Sequence, residues 1–264
     1  MRSAMVLMAI ALWSGGALGL HAQERTCEAN EGNDHGRATV AEPREQTLAQ
    51  ASLDRVHASP NGSVIIHGTD RSDVLVHACI HATAPTEQEA RQLASQVQVT
   101  RGPGAIEADG PRGDRDRHWS VSYEVWLPKR SNLNAATVNG SITVEDVQGE
   151  IKVSGVNGGL KLNRLGGELT GSTVNGGIEV ELAGTKWDGQ GVEVSTTNGS
   201  VRIDIPAAYS ANIETSTVNG GIHCDFPITL QGKIDKHLSF QLGGGGPEIH
   251  TSTVNGSIRF SRGA

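Results

Sequence analysis

The recurrence of the pair Asn-Gly constrains this chain more than any other feature of its sequence. From Asn139 onward the copies follow one another at intervals of 18, 18, 23, 21 and 36 residues, and an outlying copy stands at Asn61. The interval of 36 is twice 18, and the intervals of 23 and 21 equal 18 plus a short insertion. A fixed period of this length predicts a stack of repeating coils. The repeated asparagines are Asn139, Asn157, Asn175, Asn198, Asn219 and Asn255.

A shorter period of nine residues is visible within each 18-residue unit. Read from Asn139, the chain divides into NGSITVEDV, QGEIKVSGV, NGGLKLNRL, GGELTGSTV and NGGIEVELA. In these blocks the second position is glycine, the fourth is Ile or Leu, and the sixth is Val or Leu except at Gly171. Because residues two apart on a strand share a face, the fourth and sixth positions predict an inward-facing pair in every half-coil.

Stacking these coils at about 4.8 Å per strand predicts two apolar columns and one polar corner. The corner asparagines are expected to form a ladder of side-chain hydrogen bonds, and the glycine after each is expected at positive φ. The alternative is an up-and-down antiparallel sheet in which each Asn-Gly forms a two-residue hairpin turn. The first column is Ile142, Leu160, Ile178, Val201, Ile222 and Ile258, and the second is Val144, Leu162, Val180, Ile203, Cys224 and Phe260.

The double interval between Asn219 and Asn255 predicts a hidden coil without the Asn-Gly pair. Counting 18 residues from Asn219 places His237 at the corner, with Phe240 and Leu242 in the two apolar columns. Residues 237–242 are therefore expected to form a full strand of the stack. The alternative is a loop over residues 231–247, which the four successive glycines at 243–246 favour.

Three segments precede the repeats, which occupy residues 131–264. Residues 1–22 combine Arg2, a short apolar run and small residues near a potential cleavage site. This is the pattern of a secretory signal peptide cleaved after Gly19 or Ala22. An N-terminal anchor is the alternative, although the apolar run is too short to span a bilayer. Residues 23–50 predict a polar, irregular arm. Residues 51–130 predict a β-rich part with one helix over about 87–97, begun by the capping box at 86–89.

Composition narrows the classes of partner. With 34 glycines and only 3% aromatic residues, the chain has too few large side chains for a wide core but enough for a thin, extended one. The formal net charge is −7, and removal of residues 1–22 makes it one unit more negative. An acidic surface argues against nucleic acid as a partner, because phosphate binding needs a basic face. No segment after residue 22 resembles an integral membrane helix.

The three cysteines of an exported chain predict one disulfide and one free thiol. Cys79 lies on the face of a predicted strand opposite to its apolar residues, and Cys27 lies in the polar arm, whereas Cys224 belongs to an apolar column. A Cys27–Cys79 disulfide and a buried free Cys224 are therefore expected. The alternative use of Cys79 is a zinc site with His77 and His81 on the same strand face, with His67 near.

Carboxylates occur at the outward position that follows the repeat strands, which raises the question of catalysis. Paired carboxylates on β-helical surfaces are typical of glycosidases, but a solvated face gives the same pattern. Calcium binding of the β-roll kind is excluded because apolar residues replace its aspartate. No catalytic residue, metal ligand or cofactor is therefore assigned. The column consists of Glu145, Asn163, Glu181, Asp204 and Asp225.

The recurring Ser-Thr-Val-Asn-Gly-Gly/Ser-Ile segment, together with Asp225-Phe226-Pro227 and the glycines at 243–246, resembles the bacterial DUF4097 family, whose members are also called adhesins. The segment 61–74 resembles the start of such a domain, and the resemblance covers roughly residues 50–262. It implies an all-β fold, a right-handed single-stranded β-helix or β-solenoid with 18-residue coils, here with one short helix in the N-terminal part. It implies no enzymatic activity and supplies no catalytic residues.

The leading functional hypothesis is a non-enzymatic, exported envelope protein of the periplasm or cell surface. Its flat β faces would act as an adhesin-like binding or scaffolding module for an envelope glycan or another protein. A polysaccharide-acting enzyme on a β-helix is the alternative from a different class, and a sensor module of envelope stress is the third. A pocket lined by close carboxylates would favour the enzyme, and a featureless groove would favour binding.

Overall fold

A computed structural model of the chain describes residue 27 and residues 36–49, 53–102, 104–227 and 236–263. The described chain is mostly β-strand with one helix. The expected signal peptide and most of residues 23–35 lie outside the described residues. Within the described part of the chain, no helix combines the length and apolar character needed to cross a bilayer.

The described strands form two sheets of ten strands each. Sheet I contains, in spatial order, β1 (Ala38–Ala49), β4 (Asp73–Ala84), β7 (His118–Pro128), β3 (Val64–Thr69), β9 (Ile142–Glu145), β11 (Leu160–Asn163), β13 (Ile178–Glu181), β15 (Val201–Ile205), β20 (Ile258–Arg262) and β17 (Ile222–Cys224). Its neighbouring strands are parallel, except that β4 runs antiparallel to both β1 and β7.

Sheet II faces sheet I across the core. It contains, in spatial order, β18 (His237–Leu242), β16 (Ala211–Asn219), β19 (Glu248–Asn255), β14 (Gly189–Asn198), β12 (Gly166–Asn175), β10 (Gln148–Asn157), β8 (Leu133–Asn139), β2 (Leu53–Asn61), β6 (Gly104–Asp109) and β5 (Gln98–Gly102). Only its two outermost pairs, β16 with β18 and β5 with β6, are antiparallel.

The predicted apolar columns form the core between the sheets. Ile151 pairs with Leu169 in sheet II, and Leu160 pairs with Ile178 in sheet I, so strands of successive coils align column on column. The buried side chains are mainly Val, Ile and Leu and belong to one continuous cluster. Each coil contributes a thin layer that only its neighbours can cover, so burial depends on the stack as a whole.

The order of coils along the stack departs from the order in sequence at the C-terminal end. In the first column Val201 pairs with Ile258, and Ile258 pairs with Ile222, so the last coil lies between its two predecessors. The column has the expected members, but the expected order, with Ile222 next to Val201, is wrong. The nine-residue pattern cannot encode this order, because every coil presents the same apolar pair to its neighbour.

The hidden strand is present but does not occupy the expected columns. Residues 237–242 form β18, with Leu238, Phe240 and Leu242 buried. However, β18 runs antiparallel to β16 and pairs Phe240 with Ile213 in sheet II, not with the sheet I column. The placement of His237 at the Asn corner is therefore wrong. The glycine-rich turn explains the reversal, because Gly243 and Gly245 have φ of 55° and 74°, which other residues rarely adopt.

The N-terminal part shares both sheets with the repeats. Residues 38–49, expected as irregular arm, form the long edge strand β1 on β4, because ladder hydrogen bonds satisfy the backbone of even a polar segment. The helix α1 (Glu87–Gln96) begins at Thr86, whose hydroxyl accepts a hydrogen bond from the Glu89 amide at 3.3 Å. The structure joins Cys27 to Cys79 by a disulfide. Cys224 is free but only half-buried, because β17 is the outermost strand of sheet I.

Candidate functional site

The corner between sheets II and I carries a continuous ladder of seven asparagine side chains. Six of the seven donate through Nδ2 to the Oδ1 of the asparagine in the adjacent coil over 2.7 to 2.9 Å, and the terminal Asn61 only accepts. The ladder follows the spatial order of the coils and continues unbroken through the reordered end. Its members in that order are Asn61, Asn139, Asn157, Asn175, Asn198, Asn255 and Asn219.

The glycine after each asparagine is required by close packing between coils. A Cβ added to Gly176 would lie 2.0 Å from the carbonyl oxygen of Gly158, and one added to Gly199 would lie 2.0 Å from that of Gly176. The expectation of positive φ holds only for the first corners, where Gly62, Gly140 and Gly158 have φ of 145°, 159° and 158°; Gly176 and Gly199 do not have positive φ. The backbone of one coil simply leaves no room for a side chain in the next.

A buried threonine completes the corner. The hydroxyl of Thr173 donates to the Gly158 carbonyl at 2.9 Å, and Thr196 donates to the Gly176 carbonyl at 2.9 Å. The sequence interpretation missed this role, although the threonine two residues before Asn is visible in most copies. Contacts between coils therefore account for the Thr, Asn and Gly of the Thr-x-Asn-Gly motif, and the polar groups of these three residues are engaged within the stack.

The valine inside the same motif is different, because packing does not explain it. Val156, Val174, Val218 and Val254 are 39%, 42%, 62% and 41% exposed, and they are the exposed large hydrophobic side chains of the described residues. They stand one residue before the ladder asparagines along the outer edge of sheet II, in a row that Thr197 interrupts between Val174 and Val254. The sequence analysis did not single them out.

A groove of about 750 Å³ runs beside the corner on the outer face of sheet I. It crosses the successive strands from β9 to β17 at nearly the same position in each. Its floor is low because glycine or serine follows the corner, at Ser141, Gly159, Gly177, Ser200 and Ser257. Its wall is the next outward column, Thr143, Lys161, Glu179, Arg202, Arg259 and His223.

The wall of the groove carries charges of both signs. Lys161 lies 3.6 Å from Glu179 of the adjacent coil, and Arg202 lies 2.9 Å from Asp204 on its own strand. Arg259 lies 3.4 Å from Asp225. These pairs are exposed, so they contribute little to stability and their hydrogen-bonding groups remain accessible from solvent. Three basic side chains and one carboxylate therefore line the groove, with Asp204 and Asp225 just outside it, and together they offer many donors and acceptors.

The acidic column noted in the sequence is engaged in contacts within the protein. Glu145 accepts a hydrogen bond from Asn163 at 3.0 Å and lies 3.5 Å from the His67 ring, and Glu181 lies 3.6 Å from Arg164. Arg164 also forms a two-point contact with Asp146, which holds the pKa of that carboxyl below its usual range. These carboxylates bind their neighbours in the stack and do not form an isolated pair facing a cavity.

The alternative zinc site on β4 loses its thiolate, because Cys79 is bonded to Cys27. His77 Nε2 lies 2.8 Å from the Glu45 carboxylate, and burial lowers the pKa of His81. A smaller hollow of about 220 Å³ lies beside this disulfide, lined in part by Ile65 and His77. Residues 43–45 of the edge strand β1 form part of its lining, and its volume is less than a third of that of the groove.

Stacked coils with a shallow polar groove define an all-β repeat protein that offers surface rather than a deep pocket. The chain belongs to the DUF4097 (Toastrack) family, whose model matches residues 86–260.

Several solved structures resemble the chain. A proposed cell adhesion protein from Clostridium sporogenes is 11% identical, with a TM-score of 0.48 over 84% of this chain and 100% of that one. A proposed adhesin from Bacteroides fragilis is 12% identical, with a TM-score of 0.40 over 83% and 97%. A proposed lipid-binding protein from Parabacteroides distasonis is 13% identical, with a TM-score of 0.32 over 83% and 96%. No curated protein matches the chain.

Proposed function

We propose that this chain is a non-enzymatic, exported binding module of the bacterial envelope, whose groove on sheet I holds an extended envelope glycan. The observation that carries the proposal is the groove itself, which crosses six strands with the same low floor and polar wall. At about 4.8 Å per strand, five steps give a track of about 24 Å. A track of that shape suits a polymer that lies along the stack axis.

The orientation of the groove favours a glycan over a peptide. Peptides that bind sheets usually add a strand to an edge and pair with its backbone. Here the backbone groups beneath the groove are already bonded to neighbouring coils, as between Ile142 and Gly159. The ligand would therefore contact side chains such as those of Arg202, Glu179 and Ser200. Their hydrogen-bond donors and acceptors suit the hydroxyl groups of a sugar chain.

The finer features of the fold and location belong to the same proposal. The stack would be a right-handed single-stranded β-helix with 18-residue coils as its basic unit, lengthened in some coils by insertions. Residues 1–22 would direct export, and residues 51–130 would form an N-terminal part continuous with the solenoid of residues 131–264. A Cys27–Cys79 disulfide suits the periplasm or cell surface, where thiols oxidise.

A polysaccharide-cleaving enzyme is disfavoured by the surroundings of the carboxylates. Glycosidases place two carboxyl groups about 5–9.5 Å apart on either side of the bond to be cleaved. The carboxylate in the groove wall, Glu179, is exposed and contacts Lys161, and the acidic column beyond it contacts Arg, Asn and His side chains. The proposed role is therefore retention of the polymer without chemistry.

Cosedimentation of the purified chain with insoluble peptidoglycan and with isolated surface polysaccharide tests the proposal. Ser200→Tyr should fill the groove floor, and Arg202→Ala should remove donors from its wall, so each should weaken binding by about tenfold, the equivalent of one or two good contacts. Ser195→Tyr, on the outer face of sheet II in the same coil, is the matched control. Equal binding by all three variants and the unaltered chain would place the ligand elsewhere, and absence of binding to any glycan would refute the proposal.

A further inference from the structure

Three potential metal ligands converge on the outer face of sheet II near the C-terminal end of the stack, and a fourth, His237, lies beside one of them. The His250 Nδ1 atom lies 3.6 Å from Glu214 Oε2, and the His237 Nε2 atom lies 3.6 Å from Glu214 Oε1. The ligand atoms of Glu214, Glu248 and His250 all lie within 4.8 Å of one another. No other such group of three occurs among the described residues.

The reordered coils bring this cluster together. Glu214 stands directly opposite His250 because β19 is inserted beside β16. His237 reaches the same carboxylate because β18 runs antiparallel to β16, which places His237 diagonally beside Glu214. In a stack that followed sequence order, these strands would have different neighbours.

The surface beside the cluster is acidic and open to solvent. A hollow of about 240 Å³ adjoins Glu248 and His250, and its other walls include Glu168 and Glu193. Space exists there because Gly191 stands in the column between Glu168 and Glu248 and has no side chain. Several carboxylates around one hollow create a negative potential, which raises the local concentration of cations.

We infer that Glu214, Glu248, His250 and His237 form a binding site for a divalent metal ion of the zinc class. Imidazole nitrogen and carboxylate oxygen are ligands that zinc takes in tetrahedral sites, whereas magnesium and calcium prefer oxygen alone. Glu214, Glu248 and His250 would supply three donors, and the exposed His237 side chain would supply the fourth by rotating from its present contact with Glu214. The site lies on the sheet opposite the groove and is independent of the proposed function.

Bound metal would connect the three last strands of sheet II. Glu214 belongs to β16, His237 to β18, and Glu248 and His250 to β19. β18 is the edge strand that closes this end of the stack, so an ion shared with its neighbours would hold the closing strand in place. Metal binding should therefore raise the thermal stability of the C-terminal end.

Calorimetric titration of the untagged, chelator-treated mature chain with Zn²⁺ tests the inference. We expect one saturable site, and both Glu214→Gln and His250→Ala should weaken it by at least about tenfold, since even outer-shell partners of metal ligands matter that much. His223→Ala, which removes an exposed histidine from the groove wall, should bind Zn²⁺ as the unaltered chain does. Mg²⁺ should not compete.

Thermal unfolding with and without Zn²⁺ provides a second readout that does not depend on affinity alone. At one fixed Zn²⁺ concentration, Zn²⁺ should raise the unfolding midpoint of the unaltered chain and of His223→Ala, and should raise the midpoints of Glu214→Gln and His250→Ala by less, as their weaker binding requires. If these two variants retain full Zn²⁺ affinity, or if the unaltered chain does not bind Zn²⁺, the inference is wrong. The comparison of midpoints in chelator reveals any variant that loses binding only because it is misfolded.

Discussion

The middle coils and the two ends of the stack share the same two sheets, but their coils are arranged in a different order relative to the sequence. From Leu133 to Ile205, strands of successive coils are neighbours within each sheet, β9, β11, β13 and β15 in sheet I and β8, β10, β12 and β14 in sheet II. At the N-terminal end, β2 and β3 lie between the coil of β6 and β7 and the coil of β8 and β9. At the C-terminal end, β19 and β20 lie between the coil of β14 and β15 and the coil of β16 and β17.

The difference shows what a repeat pattern encodes. The pattern sets which side chains of a coil face inward, but each coil presents nearly the same surface to its neighbours, so it does not set which coil comes next. The ends acquire their order from connections such as the glycine turn at 243–246. Among the described strands, three of the four sheet edges are antiparallel strands, β1, β5 and β18, whereas the edge strand β17 is parallel to β20.

Replacement of the corner glycine should have the largest effect and should be larger in the middle than at the end. Gly176→Ala places a Cβ 2.0 Å from the Gly158 carbonyl oxygen between two tightly paired coils, and we expect a loss of more than about 3 kcal/mol in the free energy of unfolding. Gly220→Ala meets the Gly256 carbonyl at 1.8 Å but lies in the outermost coil, which can shift, so its loss should be smaller. Urea denaturation measures both.

Gly159→Ala is the control for the glycine series. A Cβ there would lie 3.3 Å from the Gly177 carbonyl oxygen, a contact that a small shift relieves, so its cost should be well below that of Gly176→Ala. If Gly176→Ala unfolds at the same urea concentration as Gly159→Ala, the coils are not in the close contact described.

Removal of a ladder asparagine should have a smaller effect with the same dependence on position. Asn175 donates to Asn157 and accepts from Asn198, whereas Asn219 forms only the final bond of the ladder, to Asn255. At a net value of about 0.5–1.5 kcal/mol per hydrogen bond, Asn175→Ala should cost about 1–2 kcal/mol and Asn219→Ala about half as much. Equal costs in thermal unfolding would show that the ladder does not contribute bond by bond.

The sequence predicted the elements with a period far better than those without one. The columns through Ile142 and Val144, the helix after Thr86 and the pairing of Cys27 with Cys79 follow from alternation, capping and strand face. The strand with Phe240 was expected from counting, but its reversal was not, because a period says nothing about direction. Strand β1 was missed because its burial is slight, and the ladder bonds that hold it leave no trace in side-chain pattern.

The candidate sites were less accessible from the sequence than the fold. The period in the sequence places Lys161 and Arg202 at equivalent outward positions, but it does not predict the groove, since the depth of the groove depends on how low Ser200 and its equivalents lie beside them. The Glu214 and His250 cluster was invisible because residues 36 apart in sequence become neighbours only through the reordered coils. The sequence shows which side chains share a face of one strand. Which side chains of different strands come into contact depends on the order of the coils in the stack.

Cysteine cross-linking tests that order most directly. In a Cys224→Ser background, Ser195→Cys combined with Ser252→Cys places two thiols on paired residues of β14 and β19, about 4.8 Å apart and within the reach of a disulfide. Ser195→Cys combined with Ser216→Cys places them two strands apart, at about 10 Å, beyond the limit of about 7 Å. Mild oxidation followed by mass spectrometry should detect the 195–252 link and no 195–216 link. A chain that forms the 195–216 link and not the 195–252 link would follow sequence order, contradicting the inserted last coil and the metal cluster that depends on it.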